Sequence, residues 1–379
     1  MINLKFSGCT RCGYCKSRVY LNSEKISVCP VWQIKKLESY SPKGLLTLYD
    51  CIQSGSTDLK PSFDRFYSCT LCGNCIAMCP LNLDIPNIVL EMRKKYAAEY
   101  RKYPKLNKFI LKYRILLNLW TKLNKFKNIL FLTNPPDTTG CKVYIFFGCM
   151  SQIFFPKTCK RIKSIIFNAG LKAYFIEGMC CGGPLLLNGS LKYGMSYFFS
   201  LMKMFLKQDS KIYFVCPHCM EVFKIFKFNN KKSNDISKRI YHITQLYTEI
   251  IKKEGYKLDY GRVVYHDPCY MAKCGITKDP RNILKSIGIN LIELPRTKSS
   301  TFCCGGSTRL IEKELSIEIR NERVREIKDC KADFVVTACP HCRRNFQEVD
   351  DIKVLDINDL VYYSLIGGEK CHSNRISLK

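Results

Sequence analysis

The sequence lacks the patterns of a membrane-spanning or secreted protein. No stretch reaches the roughly 18 to 20 uncharged apolar residues that a membrane span needs. The nearest, residues 143–155, is interrupted by Gly148, Ser151 and Gln152 and predicts a buried strand that runs into a loop. Because the first residues show no charged segment followed by a long apolar run, we expect no secretory signal and a cytoplasmic protein.

Motifs for nucleotides, flavins and nucleic acids are also absent. The sequence has no phosphate-binding loop, no G-x-G-x-x-G fingerprint and no serine-hydrolase elbow, so we expect no flavin site of its own. Acidic residues are scarce, with 32 Asp and Glu against 61 Lys and Arg. This excess of basic residues is compatible with a surface that docks on a partner protein or a membrane, and equally with a basic composition that serves no specific partner. Without a helix-turn-helix, zinc-finger or aromatic RNA-binding signature, we expect no nucleic-acid partner.

Cysteine, by contrast, is abundant, with 24 in 379 residues. Such enrichment indicates either a disulfide framework in a secreted protein or soft-metal ligation in a reducing compartment, and the spacing favours metal. Eight of the cysteines in residues 1–92 form clustered motifs, ten form a repeated motif further on, and six stand outside both groups. We interpret the six as small apolar residues: Cys51, Cys141, Cys159, Cys274, Cys330 and Cys371.

The eight clustered N-terminal cysteines include two runs with the spacing of ferredoxin-type [4Fe-4S] sites. The first run has C-x2-C-x2-C spacing and comprises Cys9, Cys12 and Cys15. The second run has C-x2-C-x2-C-x3-C-P spacing and comprises Cys69, Cys72, Cys75 and Cys79. In two-cluster ferredoxins the cysteine before the proline binds the other cluster, so we predict that Cys79 completes the site of the first run.

The eighth ligand departs from the usual spacing. The reciprocal cysteine ought to follow Cys15 after three residues, but the next Cys-Pro pair, Cys29-Pro30, comes after thirteen. We interpret the difference as an insertion and expect Cys29 to complete the site of the second run. The alternatives are a cluster held by three thiolates, or structural zinc in place of the cubanes.

A five-cysteine motif occurs twice in the rest of the chain. The first copy comprises Cys149, Cys180, Cys181, Cys216 and Cys219, and the second comprises Cys269, Cys303, Cys304, Cys339 and Cys342. Between the doublet and the last pair lie thirty-four residues in both copies. Neighbouring cysteines cannot readily bridge each other, so five converging thiols indicate a metal cluster. Because five thiolates exceed the four of a regular cubane, we predict an opened cluster with a bridging thiolate.

The segments between the cysteines predict the domain organisation. Residues 1–92 should form a helical ferredoxin-like domain. Residues 93–138 are rich in Lys and Arg at spacings that suit amphipathic helices, which predicts a basic linker or a helix that binds a partner or the inner face of the membrane peripherally. Short β-branched or aromatic runs then alternate with helical stretches, which predicts two α/β domains with mostly parallel sheets at 139–258 and 259–379. The fold class is therefore α+β overall.

Several short motifs resemble one known family. They are SPKG at 41–44, GCM around Cys149, HDPC ending at Cys269, CCGG at 303–306, and CPHC at 216–219 and 339–342. The arrangement resembles the cysteine-rich CCG domains of the heterodisulfide reductase family, and the whole chain resembles its D-type subunit. The resemblance implies two [4Fe-4S] cubanes in the N-terminal domain and one or two further [4Fe-4S] clusters, of noncubane type, in the CCG domains. It also implies a membrane cytochrome b or a flavoprotein as the electron donor.

The resemblance also implies an activity. In the disulfide-reducing branch, facing clusters bind the two halves of a disulfide such as CoM-S-S-CoB, so the ten repeat cysteines would be the catalytic set. Chains of the same layout also serve as electron-transfer subunits of flavin-dependent glycolate, lactate or glycerol-3-phosphate dehydrogenases. That second branch often loses a cysteine from the terminal pairs, so the presence of Cys219 and Cys342 favours the first. A metal-binding docking scaffold is a third, non-enzymatic alternative.

Two histidines lie inside the CPHC motifs. We expect His218 and His341 either to donate protons to thiolate products or to serve as hydrogen-bonding and packing residues. The pair His266-Asp267, just before Cys269, is interpreted as a strand-end turn rather than a catalytic pair.

Overall fold

The computed structural model describes most of the chain outside the basic linker. The described residues are 8–16, 19–21, 24–99, 115–116, 119, 123, 141, 143–207, 209–226, 231–251 and 257–367. Most of the linker predicted for residues 93–138 therefore lies outside the described residues, as does Cys371. Within the described ranges, no helix is both long enough and apolar enough to cross a membrane.

The N-terminal part is built from short helices. They are α1 (Pro30–Lys35), α2 (Pro42–Gln53), α3 (Phe63–Ser68), α4 (Asn74–Met78) and α5 (Ile85–Glu99). Two antiparallel strands, β1 (Val19–Leu21) and β2 (Glu24–Ile26), occupy the extra residues before Cys29. The extra residues thus contain a hairpin of their own, and the helical character predicted for this domain is confirmed.

The SPKG motif has a structural role at the start of α2. Ser41 is the N-cap residue, and its Oγ accepts a hydrogen bond of 3.0 Å from Gly44 N. Pro42 occupies the first turn, where the absence of an N–H costs nothing. A Cβ on Gly44 would lie 1.9 Å from the carbonyl oxygen of Glu38. The motif therefore fixes the start of the helix against the preceding turn.

The first repeat contains a four-stranded parallel sheet. Its strands are β3 (Val143–Phe146), β4 (Ala173–Ile176), β5 (Lys211–Phe214) and β6 (Ile240–His242), in the order β4-β3-β5-β6. Its helices are α6 (Gly148–Phe154), α7 (Pro156–Asn168), α8 (Gly183–Leu186), α9 (Leu191–Phe205), α10 (Pro217–Ile225), α11 (Lys231–Lys238) and α12 (Ile243–Ile250). Every residue of β3 is buried, as in a central parallel strand with helices on both faces.

The second repeat has the same topology. Its strands are β7 (Val263–His266), β8 (Leu291–Ile292), β9 (Phe334–Thr337) and β10 (Lys353–Asp356), in the order β8-β7-β9-β10. Its helices are α13 (Cys269–Lys273), α14 (Lys278–Ser286), α15 (Lys313–Asp329), α16 (Pro340–Phe346) and α17 (Ile357–Ile366). In each sheet the first strand lies between the second and the third, and all neighbours are parallel. The predicted pair of parallel α/β units is confirmed.

Helices α7 and α17 join the two repeats. Thr158 Oγ1 donates a 2.9 Å hydrogen bond to Asp359 Oδ1, and Arg161 Nη1 lies 2.9 Å from the same carboxylate oxygen. Tyr247 Oη donates a further hydrogen bond of 2.8 Å to Asn358 Oδ1, and both residues are buried. These buried polar contacts fix one sheet relative to the other.

The N-terminal part packs on both repeats. The buried guanidinium of Arg93 donates hydrogen bonds to the carbonyl oxygens of Phe66, at 3.0 Å, and of Leu187 in the first repeat, at 2.9 Å. On the other side, Ser68 Oγ lies 2.9 Å from Glu312 Oε1 of the second repeat. The segment that leads into the second cysteine run is therefore held against both sheets.

Candidate iron–sulfur centres

Four cysteines of the N-terminal part line one cavity. They are Cys9, Cys12, Cys15 and Cys79, and the cavity is partly open to solvent, with a volume of about 350 Å³ including the open space. Burial, with the neighbouring Cys9 and Cys79 thiols, raises the pKa of Cys15 to about 11, because adjacent thiolates would repel one another. The structure therefore brings the proline-adjacent Cys79 to the first run.

A second cavity, also partly open to solvent and of about 390 Å³ including the open space, is lined by Cys29 and by three cysteines of the second run. Those three are Cys69, Cys72 and Cys75. Cys29 is the N-cap residue of α1, and burial, together with Cys72 and Cys69, raises the pKa of its thiol well above the usual value. The hairpin thus returns the chain so that Cys29 faces the second run, although ligation by Cys29 stays a prediction.

The five thiols of the first repeat converge beyond the carboxyl ends of β3 and β5. Cys149 lies in the first turn of α6, and Cys216 is the N-cap residue of α10. The Cys149 and Cys180 sulfur atoms are 3.6 Å apart. Cys181 interacts with Cys180 and Cys219, and these hydrogen bonds lower its pKa to about 6. A pocket of converging thiols at strand ends suits a cationic metal centre.

Glycines make the backbone of this pocket accessible. The N–H groups of Gly182 and Gly183 lie 3.4 Å from the two sulfur atoms of the doublet. Gly148 has a φ of +73°, and a Cβ there would lie 3.0 Å from Cys219 Sγ. A residue with a side chain would therefore be strained in its backbone and would crowd the thiol.

The second repeat reproduces this pocket. Cys269 begins α13, and its sulfur lies 3.8 Å from that of Cys303. Cys339 is the N-cap residue of α16, and the Cys304 and Cys342 sulfur atoms are 3.1 Å apart. The N–H groups of the two glycines after the doublet again lie 3.4 Å from its sulfur atoms. All ten repeat cysteines are buried.

The two pockets face each other at their CPHC turns. The thiols of Cys216 and Cys339 interact across the interface. The rings of His218 and His341 have centroids 4.8 Å apart. Burial, assisted by His341, lowers the pKa of His218 well below its usual value, so the buried ring is neutral at physiological pH. The structure thus brings both predicted histidines to the same point between the repeats.

One thiol of the N-terminal part contacts the second repeat. Cys72, Cys269, Tyr270 and Cys303 form one buried cluster. Burial and the adjacent Cys269 raise the pKa of Cys72 to about 12. The cavity of the second run therefore borders the thiols of the second repeat.

A buried ion pair that sequence reasoning missed lies beneath the facing turns. Lys273 Nζ, at the end of α13, lies 2.5 Å from Glu221 Oε1, on α10. Cys274 Sγ lies 3.7 Å from the other oxygen of Glu221, and the Tyr270 ring packs 5.4 Å from that of His218. One signal for this ion pair was available: Glu221 is an acidic residue two positions after Cys219, in a helical turn whose other residues are buried.

The residues His266 and Asp267 differ in role. Both Asp267 oxygens lie 2.8 Å from Arg281 nitrogens and one accepts from Lys298 N, so Asp267 does stabilise a strand-end turn. His266, however, is fully buried, and a ring nitrogen lies within 4.8 Å of two second-repeat thiols. The missed signal is positional: His266 precedes its first motif cysteine by three residues, where the first repeat has Phe146.

Two protein families match these regions. Residues 5–83 match the 4Fe-4S dicluster domain, and residues 143–224 and 263–347 each match the cysteine-rich domain CCG. The chain therefore carries a 4Fe-4S dicluster domain followed by two cysteine-rich CCG domains. This CCG-domain chain is therefore an iron–sulfur electron-transfer protein.

Its relatives include components of several oxidoreductases. It is 24% identical to the D-type subunit of dihydromethanophenazine:CoB–CoM heterodisulfide reductase from Methanosarcina acetivorans, over 96% of this chain and 94% of that one. It is 23% identical to the B-type subunit of fumarate reductase (CoM/CoB) from Methanothermobacter marburgensis, over 94% of this chain and 72% of that one. Lactate utilization protein A of Oceanobacillus iheyensis is 28% identical over 60% of this chain and 99% of its own length.

Proposed function

We propose that this CCG-domain chain is the disulfide-reducing iron–sulfur subunit of a heterodisulfide reductase-type complex. The observation that supports this most is the meeting of two complete five-thiol pockets, with Cys216 beside Cys339 and the rings of His218 and His341 4.8 Å apart. A simple relay would not need two thiol pockets that face each other. The similarity to the D-type heterodisulfide reductase subunit, over 96% of the chain, supports the same activity.

The donor sets fit iron–sulfur clusters because buried thiols converge around backbone N–H donors and protein-lined cavities. We assign one [4Fe-4S] cubane to Cys9, Cys12, Cys15 and Cys79, and another to Cys29, Cys69, Cys72 and Cys75. We assign one further [4Fe-4S] cluster to each repeat, of noncubane type because five thiols are present. When bound, such clusters pass single electrons and offer iron to a sulfur ligand.

The proposed reaction is RS–SR′ + 2 e⁻ + 2 H⁺ → RSH + R′SH. One S–S bond breaks, two S–H bonds form, and the electrons come from a reduced partner, either a flavoprotein or a membrane cytochrome b. Cleaving a disulfide takes two electrons, whereas a cluster normally passes one, so two facing sites suit the stoichiometry. The substrate class is a disulfide of two small thiols, for which CoM-S-S-CoB is the first candidate.

The chain's own residues would determine the order in which electrons reach the two repeats and which groups supply protons. Because Cys72 adjoins Cys269, electrons would pass from the N-terminal part to the second repeat before the first. The neutral ring of His218 and the half-buried ring of His341 lie where the thiolate products form, and their N–H groups can supply protons. The apolar wall of Tyr270 beside His218 would exclude water from this point.

A second candidate function is favoured by the similarity to lactate utilization protein A. In that case the chain is the electron-transfer subunit of a flavin-dependent glycolate, lactate or glycerol-3-phosphate dehydrogenase. The chain would then accept electrons from a flavoprotein and would have no substrate site of its own.

The deciding experiment is electron paramagnetic resonance on the anaerobically purified full chain. The protein is oxidised in the presence of coenzyme M or coenzyme B, and each thiol is used both unlabelled and labelled with sulfur-33. The proposal expects a thiol-dependent signal broadened by sulfur-33, about sixteen irons per chain, and reduction of CoM-S-S-CoB by reduced viologen.

Two variants make the experiment specific. Cys219→Ser should abolish the thiol-dependent signal, whereas Cys51→Ser, outside both cysteine patterns, should leave it intact. No thiol-dependent signal, together with a co-purifying flavoprotein that reduces the clusters when lactate or glycolate is added, would refute the proposal in favour of the second candidate.

A further inference from the structure

The two repeats differ at one position that faces their otherwise matching pockets. Phe146 ends β3 and His266 ends β7, and each precedes the first cysteine of its motif by three residues. Both side chains are fully buried. The glycine N–H groups around the two doublets lie at the same 3.4 Å in both repeats. The imidazole is therefore a polar group that the second pocket has and the first lacks at this position.

The orientation of the imidazole is fixed by its neighbours. Arg323 Nε lies 3.2 Å from His266 Nδ1, and Arg323 is itself fully buried. The ring of Phe346 packs edge-on against the imidazole, with centroids 4.9 Å apart and planes at 90°. Nε2 is buried and has no hydrogen-bonding partner within the part of the chain that the structure describes. A ring nitrogen of His266 lies within 4.8 Å of the sulfur atoms of Cys304 and Cys342.

The contact with Arg323 decides which ring nitrogen carries the proton. A guanidinium has only donors, so Nδ1 must accept the hydrogen bond and be unprotonated. In a neutral imidazole the proton then lies on Nε2. Nε2 therefore presents an N–H group rather than a lone pair. An N–H group can donate to a thiolate, whereas direct ligation of iron would require a free lone pair.

We propose that, when a cluster fills the second pocket, the Nε2–H group of His266 donates a hydrogen bond to the sulfur atoms of Cys304 and Cys342 and gives this cluster a higher reduction potential than that of the first repeat. Hydrogen bonds to cluster sulfurs stabilise the extra negative charge of the reduced state. The inference rests on the proposed function to the extent that a cluster fills each repeat. His266 is thus a positioning and tuning residue, and it favours arrival of electrons at the repeat that adjoins Cys72.

The test is a redox titration of the anaerobically purified full chain, followed by electron paramagnetic resonance. His266→Phe copies the residue of the first repeat and should lower one cluster midpoint. A tenfold or greater change in that cluster's reduction equilibrium is expected, which is about 59 mV for one electron. His266→Gln keeps an N–H donor and should recover most of the shift. Phe146→Leu, at the matching position, should leave that midpoint unchanged.

A second measurement separates donation from ligation. The chain is labelled with ¹⁵N-histidine, and hyperfine spectroscopy of the reduced cluster should reveal a weakly coupled imidazole nitrogen that disappears in His266→Phe. Strong coupling, as from an Fe–N bond, would overturn the donor role, as would unchanged midpoints in His266→Phe. If iron analysis instead gave about eight irons per chain, the repeats would hold no clusters and the proposed function itself would fail.

Discussion

Lys273 and Glu221 form an ion pair of 2.5 Å between helices of different repeats, directly below the facing CPHC turns. The Glu221 side chain is 3% exposed and that of Lys273 is 20% exposed. Burial disfavours the charge on Lys273, but attraction to Glu221 outweighs it and raises the pKa of the ammonium group. The pair therefore joins the two repeats at the point where their thiol pockets meet.

Removing one member of this pair should destabilise the protein strongly. Glu221→Ala leaves the mostly buried Lys273 charge without its ion-pair partner, and we expect a loss of about 3 kcal/mol in the free energy of unfolding. This loss is measured by urea unfolding of the anaerobically purified chain. Glu177→Ala removes the exposed pair of Glu177 and Lys163, whose side chains are 41% and 39% exposed, and should cost at most about 1 kcal/mol. Equal losses in the two variants would contradict a buried pair.

Cys29 can be tested as the eighth N-terminal ligand. It lines the cavity of the second cysteine run, so Cys29→Ala should cost one cluster, about four irons per chain, and the corresponding resonance signal. Cys51→Ala is the matched control, because Cys51 lies on α2 and lines neither cavity. Full iron content in Cys29→Ala would instead favour a site held by three thiolates.

Spacing alone predicted much of this architecture. Ligand chemistry restricts the residue type at each motif position, so the cysteine runs and the repeat could be recognised in the sequence. The repeat in turn predicted two similar parallel sheets. The Glu221–Lys273 ion pair could not be predicted from the sequence, because its partners are 52 residues apart and meet only through packing between repeats. His266 was not assigned to the site either, because its role depends on Arg323, which lies 57 residues further along the chain on helix α15.

The buried His242 should make stability depend on pH. Burial lowers its pKa to about 3, whereas the unfolded chain has the ordinary value of about 6.5. Between these values the unfolded state binds the extra proton, so stability falls as pH decreases below about 6.5. At pH 5 this residue should cost about 2 kcal/mol relative to pH 7.

The variant for this test must keep the helix cap. His242 Nδ1 accepts from Thr244 N at 3.3 Å at the start of α12, and asparagine can make the same bond without titrating. His242→Asn should therefore lose about 2 kcal/mol less than the parent chain between pH 7 and pH 5, as measured by urea midpoints at each pH. The same pH dependence in both proteins would show that His242 is not the group responsible.

Gly148 offers a test of the first pocket that leaves every cysteine in place. In Gly148→Ala the added Cβ would lie 3.0 Å from Cys219 Sγ, at a φ of +73° that L residues rarely adopt. Gly170 has a similar φ of +68°, but a Cβ there would meet nothing within 4 Å. Both variants should lose about 1 kcal/mol or more of their free energy of unfolding to backbone strain.

Only Gly148→Ala should also lose about four irons and the thiol-dependent resonance signal, because crowding moves Cys219 away from the other thiols. Iron analysis and resonance spectra of the two variants measure this difference, and equal iron contents would mean that the pocket tolerates displacement of Cys219.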